Sequence, residues 1–162
     1  MNQHEFEALY REHAAQLAAF LARRVDRALV EDLAADVIEI AWRKRNQAEP
    51  GIYLGWLFGI ASRVVANHRR KSARRSAIEL LLPAPESAPS AETLALSDTG
   101  LSKAWAKLSS NEREILALAF FEQLSHNQIA TALNVTTNAV GIRVHRAKNK
   151  LENLLNQERS VE

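Results

Sequence analysis

Cysteine is absent from this sequence, which excludes disulfide scaffolds, zinc ribbons, iron–sulfur sites and thiol nucleophiles together. Only five glycines and four prolines occur, leaving little material for the glycine-rich loops that cradle phosphates. Long apolar runs are missing too. The longest, Ile52 to Ala61, has ten residues, about half of the roughly 20 that a bilayer-spanning helix needs. The N-terminal stretch MNQHEFEALYREH lacks the charged-then-apolar layout of a signal peptide, so the expectation is a soluble cytoplasmic protein. His4, His13, His68, His126 and His145 show no metal-ligand spacing. No Ser or Lys sits in a nucleophile motif, and no carboxylate pair flanks a recognisable pocket. The reading is therefore a non-enzyme that needs no cofactor and no metal.

What is present is a chain of 162 residues, 47% hydrophobic and 25% charged, rich enough in apolar surface to fold. Its length suits one mid-sized domain or two of about 60 to 80 residues each. The net charge of +2 conceals a segregation of charge along the chain. Residues 1 to 42 carry eight acids and four bases. From Arg63 to Arg75 stand Arg63, Arg69, Arg70, Lys71, Arg74 and Arg75 with His68 and no acid. From Ala139 to Lys150 stand Arg143, Arg146, Lys148 and Lys150 with His145, again without an acid. Either block alone could be a solvated helix face; two of them suggest two polyanion contacts.

Apolar residues recur at three and four rather than at two, so the fold class is all-α. A first helix is expected over about residues 3–25, with Phe6, Leu9, Tyr10, His13, Leu17, Phe20 and Leu21 on one face, closing at Arg23 and Arg24, where cations suit the helix dipole. A second runs from about Val30 to Lys44 and buries Leu33, Val37, Ile40, Ala41 and Lys44, while Asp32, Asp36 and Glu39 line another face. Pro50-Gly51 marks a turn, and a third helix follows to about Ser76, apolar first and basic after. Within it, Gly55-x-x-x-Gly59 suits close helix packing. Tyr53, Trp56 and Phe58 precede the basic block, a combination that single-stranded nucleic acid uses for stacking and phosphate pairing; the same aromatic spacing equally suits a core.

Between Ser76 and Thr99 lie three of the four prolines, four acids and no Lys or Arg, the composition of a flexible linker, with Leu80–Leu82 and Leu94–Leu96 able to pack locally. The expected division is thus 1–76, a linker over 77–99, and 100–162. In the last unit Ser109-x-x-Glu112 and Ser125-x-x-Gln128 fit the capping box. Ser125 to Leu133 reads as a short helix, Asn134-Val135 as a turn, and Thr136 as the cap of a longer helix: helix-turn-helix spacing. Val140, Val144, Ala147, Leu151 and Leu154 or Leu155 would face inward, onto Ile115, Leu118, Ile129, Ala130 and Leu133. Asn138, Gly141, Ile142, His145 and Arg146 would face outward with Arg143 at the flank, where the start of such a helix reaches base edges.

The order Val30-Glu31-Asp32-Leu33-Ala34-Ala35-Asp36-Val37, Ala41-Trp42, then Gly55-Trp56-Leu57-Phe58-Gly59-Ile60-Ala61 leading into His68-Arg69-Arg70-Lys71 resembles the promoter-melting domain of bacterial sigma factors. Leu108 to Ile115, Leu124 to Ala130 and Ala139 to Lys148 resemble the helix-turn-helix domain that reads the upstream promoter element. Two such domains and a short linker are the layout of the extracytoplasmic-function (ECF) group of the sigma-70 family, a resemblance covering about residues 4–155. It implies core RNA polymerase and promoter DNA, duplex and melted, as partners. It also implies control by an anti-sigma factor, which, if membrane-bound, would hold the chain at the membrane.

By position, the resemblance implies that Asp32, Asp36 and Glu39 meet the polymerase clamp. Tyr53, Arg63, Asn67, Arg69, Arg70, Lys71, Arg74 and Arg75, with the loop from Arg45 to Tyr53, would hold the downstream element. An unstacked base would be captured near Arg63, its unpairing costing a few kcal/mol. Thr137, Asn138, Gly141, Ile142, Arg143, Arg146 and Lys148 would face the upstream element. The chain departs from the family pattern at Arg63, where Asn is usual, at Gly59, where Arg is usual, and at Gly141 and Ile142, usually polar or basic. Thymine methyls or groove shape would then weigh more in readout. The alternative is a stand-alone helix-turn-helix regulator that binds a palindrome as a dimer; the acidic stripe and the Trp56 segment argue against it.

Overall fold

The computed structural model describes residues 1–75 and 87–161. Among them the regular structure is helical, with seven α-helices and no strand. Helix α1 (Gln3–Ala22) starts at a capping box: the Asn2 side chain accepts from the Glu5 amide at 2.9 Å, and the Glu5 carboxylate accepts from the Asn2 amide at 2.8 Å. It buries Phe6, Leu17, Phe20 and Leu21, with Leu9, Tyr10 and His13 half-buried. Helix α2 (Val30–Arg43) buries Leu33, Val37 and Ala41. Lys44, expected on that buried stripe, is exposed, because α2 ends one residue before it and Lys44 serves as the C-cap. The chain then turns through Pro50-Gly51, Gly51 taking φ +84°, into α3 (Tyr53–Arg75).

The first half of α3 is buried nearly all round: Tyr53, Leu54, Leu57, Phe58, Ile60, Ala61, Val64 and Val65. A helix apolar on every face needs neighbours on every face, and α3 has them. Helices α1 and α2 cover one side, where Phe58 stacks on Phe20 at 4.6 Å between ring centroids. The other side is covered from the second half of the chain.

That half comprises α4 (Thr99–Ala106), α5 (Ser110–Leu116), α6 (His126–Leu133) and α7 (Thr137–Val161). Asp98 caps α4 through the Gly100 and Leu101 amides. Both expected capping boxes are formed, Ser109 with Glu112 and Ser125 with Gln128. A π-helical turn, Ala117–Phe121, extends α5. Asn134 takes the left-handed conformation at φ 54° and reverses the chain between α6 and α7. Helix α7 lies on α4, α5 and α6, burying Val140 and Ala147 and half-burying Val144, Leu151, Leu154 and Leu155. Of the expected linker, 77–86, including Leu80–Leu82, falls outside the described residues. Its remainder is held down: Ala88 and Pro89 are buried, and the Trp105 indole donates to the Pro89 carbonyl at 3.0 Å.

The two halves pack directly on each other, and their apolar residues form one cluster running from Phe6 to Ala147. Helix α6 lies along the Gly55–Gly59 face of α3, so the close packing that the glycine spacing suggested has α6 as its partner. Beside this seam sits a buried ionic cluster. Arg24 is 2% exposed; its guanidinium donates to the Phe20 carbonyl at 2.9 Å, to Glu122 at 3.2 Å and to Glu114 at 3.4 Å, and lies 3.5 Å over the Phe20 ring. Arg23 donates to both oxygens of Glu122, at 3.1 and 3.2 Å. Ser62 and Ser87 donate to the two oxygens of Glu114, at 3.4 and 3.2 Å. Burial pushes the Glu122 carboxyl above its ordinary range, against the pull of Arg24 and Arg23.

Candidate nucleic-acid interface

Two basic surfaces emerge from this packing. The first is the outer side of α7. Thr136 caps the helix by accepting from the Ala139 amide at 3.1 Å, and Thr137 donates to the Asn127 side chain at 3.0 Å, pinning the start of α7 to α6. Thr137, Asn138, Ile142, Arg143, His145, Arg146 and Lys148 are exposed, and Gly141 is half-buried. The groove over them, about 460 Å³, is lined by His126, Thr137, Asn138, Gly141, Ile142, His145 and Arg146. Ile142 is 45% exposed, an apolar side chain presented amid donors, as contact with a thymine methyl requires. All seven residues expected at the upstream element therefore lie along one helix. A Cβ at Gly141 would come no closer than 3.8 Å to the His126 ring, so nothing in the packing requires glycine there.

Lys150 belongs to the same basic block but is engaged elsewhere: it donates to Glu112 at 2.9 Å. Partial burial pulls the Glu112 carboxyl upward, yet the Ser109 amide and Lys150 together hold it below its ordinary value. That pair joins α5 to α7 and steadies the helix that carries the groove.

The second surface is the C-terminal half of α3. Arg63, Asn67, Arg70, Lys71, Arg74 and Arg75 are exposed there. Two residues expected with them are placed differently. Arg69 is half-buried and donates to the backbone carbonyls of Arg24 and Ala88, bracing the end of α1 and the chain before α4. Tyr53 is 5% exposed, packed between His13 and Trp56, and its buried hydroxyl has no hydrogen-bond partner among the described residues. Burial, then the neighbouring Tyr10, pushes that phenol up to about 12. Tyr53 also borders a cavity of about 790 Å³ whose lining includes Leu9, Glu49, Pro50, Leu54 and, from the other half of the chain, Gln128. Phe58, a candidate for base stacking, is fully buried, which leaves the core as its role.

The acidic stripe forms a third surface. Asp32, Asp36 and Glu39 are all exposed on α2, Glu39 lying 3.8 Å from Arg43. Sequence reading missed the cluster of Arg24, Glu114 and Glu122. Arg23 and Arg24 read as dipole-complementing cations, but α1 ends at Ala22 and both guanidinium groups reach across to the second half. The available signal was a pair of carboxylates, Glu114 and Glu122, flanking the apolar stretch Ile115 to Phe121; a charge at the edge of a core stripe needs a partner.

Among the described residues no helix is long and apolar enough to cross a membrane, and no group of three metal-ligating side chains gathers. Family profiles match in two places: Sigma-70 region 2 over residues 9–75 and Sigma-70 region 4 over residues 100–151. The chain is 31% identical over 161 residues to the RNA polymerase sigma factor CarQ of Myxococcus xanthus, covering 96% of this chain and 91% of that one. It is 29% identical over 148 residues to the ECF RNA polymerase sigma factor SigL of Mycobacterium tuberculosis, covering 86% and 82%. Among solved structures, CnrH in complex with the cytosolic domain of CnrY superposes with a TM-score of 0.64 at 24% identity, over 96% of this chain and 90% of that one. The sigma factor RpoE bound to the anti-sigma factor NepR from Bartonella quintana superposes at 0.63 and 24% identity, over 94% and 97%. With regions 2 and 4 matched in order, and sigma factors 31% and 29% identical covered over 91% and 82% of their length, the protein belongs to the ECF group of the sigma-70 family.

Proposed function

We propose that this chain is an alternative sigma factor that binds core RNA polymerase and directs it to promoters in the cytoplasm, without catalysis of its own. The observation that carries the reading is the pairing, on one chain, of two exposed basic surfaces, on α7 and on the C-terminal half of α3, with a separate exposed acidic stripe. The roles divide accordingly. Residues 1–76 bind polymerase through Asp32, Asp36 and Glu39 and hold the downstream element through Arg63, Asn67, Arg70, Lys71, Arg74 and Arg75, while Arg69 and Tyr53 support that surface from within the packed helices. Residues 100–162 read the upstream element through Thr137, Asn138, Gly141, Ile142, Arg143, Arg146 and Lys148. Residues 77–99 connect the two. Charge complementarity supports this division: cations meet phosphates, and base edges are read from the start of α7. The anti-sigma factor NepR bound to one structural neighbour supports control of this chain by an anti-sigma factor of its own.

The test is transcription in vitro from fragmented genomic DNA of the source organism, with core polymerase and with or without the protein. Transcript starts that appear only with the protein, and that share two upstream motifs at a fixed spacing, are expected. Absence of such starts, with unaided tight binding to a palindromic duplex, would replace the reading with a stand-alone regulator.

A further inference from the structure

The groove over the start of α7 has one wall that belongs to α6. His126, the first residue of α6, is exposed and lines the groove together with Asn138, Gly141, Ile142, His145 and Arg146. Its sequence neighbours on both sides are tied down. Ser125 caps α6 by accepting from the Gln128 amide at 3.3 Å, and the Asn127 side chain accepts from the Thr137 hydroxyl at 3.0 Å. The backbone that carries His126 is therefore fixed against the start of α7, while its ring is left uncommitted. Neither ring nitrogen has a hydrogen-bond partner among the described residues. The other imidazole of the groove differs: His145 accepts at Nε2 from the Asn149 amide at 3.2 Å.

Gly141 stands beside that ring. A Cβ there would lie 3.8 Å from both Cε1 and Nδ1 of His126, so a long side chain leaving from that point would run along the imidazole and screen it from anything entering the groove. Glycine inside a helix costs about 1 kcal/mol relative to alanine, and the packing does not require it here. What it provides is access to the His126 ring. In a helix-turn-helix the first helix ordinarily crosses the phosphate backbone and the second reads the bases; at this notch a side chain of the first helix shares the groove of the second.

We propose that His126 is a base-reading residue, its ring admitted by Gly141 to donate to the major-groove edge of a guanine in the upstream element, next to the base pair whose thymine methyl Ile142 contacts. The proposal rests on the reading of α7 at the upstream element given above. The chemistry selects the base. An imidazole N–H needs an acceptor. Guanine presents two side by side, N7 and O6, whereas adenine sets its N6 donor beside N7 and cytosine presents only a donor. Thymine offers one acceptor next to a methyl group, and the apolar partner for that methyl is Ile142, 45% exposed and adjacent in sequence to Gly141. A guanine and a thymine on neighbouring base pairs are thus read from two helices at one point.

The test is transcription in vitro with the full-length protein and core polymerase, on a promoter whose upstream element is randomised, the products being sequenced. The wild type should favour guanine at one position beside a thymine. His126→Ala should reduce that guanine preference by at least ~5-fold and leave the other positions as they were. His126→Gln should move the preference at the same position to adenine, because a carboxamide pairs bidentately with adenine N6 and N7; a residue that only packs cannot produce that switch. Gly141→Lys should screen the ring, so that adding His126→Ala in its background changes the profile by less than ~2-fold, a coupling read as a double-mutant cycle. The side chain is exposed, and His126→Ala and His126→Gln should melt with the wild type.

An equal loss on all sequences in His126→Ala would make the contact one with phosphate, which carries no sequence information, and would overturn base reading. An unchanged profile, or no gain of adenine in His126→Gln, would overturn it too. If the wild type directs no specific start, the sigma-factor reading falls instead. Selection of randomised duplexes by the unaided full-length chain then compares the wild type with His126→Ala and His126→Gln, and the guanine position decides the role of His126 by the same criteria.

Discussion

Helices α3 and α7 are the two longest helices described, at 23 and 25 residues, and both carry a basic stretch, yet they are used in opposite ways. In α7 the fold takes only Val140 and Ala147 fully inside, and the rest of its outer side faces solvent. In α3 the first half is enclosed from both sides, and two of its candidate DNA residues, Tyr53 and Arg69, are committed to packing and to backbone carbonyls. The basic side of α7 is thus presented in full, while the basic half of α3 is partly occupied. The difference follows from composition. A helix with a narrow apolar stripe can bury it against one set of neighbours, whereas the run from Ile52 to Ala61 needs cover on every side and takes α6 as part of it.

The largest effect should come from the enclosed side. Arg24→Ala removes the cation and leaves Glu114 and Glu122 buried without it, which should cost about 3–5 kcal/mol; urea unfolding of the full chain measures it through the shift in midpoint. A loss below about 1 kcal/mol would show that the carboxylates reach water freely and that the enclosure of α3 is loose. Next comes the presented side. Replacing Arg143 and Arg146 by Ala should weaken upstream-element discrimination by roughly 1–3 kcal/mol per base contact while leaving core polymerase binding intact. Asp32→Ala with Asp36→Ala should do the reverse. An identical defect from both pairs would erase the distinction between the surfaces.

Smaller changes sharpen the contrast between glycines. Gly141→Ala in α7 should stabilise the protein by up to about 1 kcal/mol, because the added methyl meets only the His126 ring at ordinary contact distance; thermal melting would show the gain. The smallest effect concerns Glu112. Its carboxyl is held below its ordinary value of 4.5 in the folded chain, so its contribution is present above pH 4.5 and is lost as pH falls through the lower, folded value. Glu112→Gln should therefore lower stability at pH 7 by about 0.2–1 kcal/mol, as expected for an exposed pair, and the difference from wild type should shrink in melts taken at progressively lower pH below 4.5.

Much of the architecture was legible because its causes are local. The capping boxes at Ser109 and Ser125 and the Thr136 cap depend on side chains that bond to amides three residues away, the turn at Asn134-Val135 on the left-handed conformation Asn134 tolerates, and all appear where their spacing put them. The Pro50-Gly51 turn was legible because glycine takes the positive φ the turn uses, +84° at Gly51. The outer face of α7 followed from periodicity, since the positions not needed for packing are left to solvent. What was illegible is what depends on contacts between distant residues. Arg24 meets Glu122 across 98 positions of sequence, and no periodicity encodes such a meeting. Tyr53 could be read as a stacking surface or as core; its packing between His13 of α1 and Trp56 decided in favour of burial. Lys44 was misplaced by one residue of helix end, a boundary set by the cap.

The Gly55 contact with the Gln128 carbonyl has a consequence for how this protein can vary. Every residue other than glycine carries a Cβ, and a Cβ there meets main chain at 2.2 Å. Any coding change at that position therefore pushes the two halves in one direction, apart. The first and second halves of the chain are therefore coupled at this point through main chain alone, and no choice of side chain at Gln128 could make room for a substitution at Gly55.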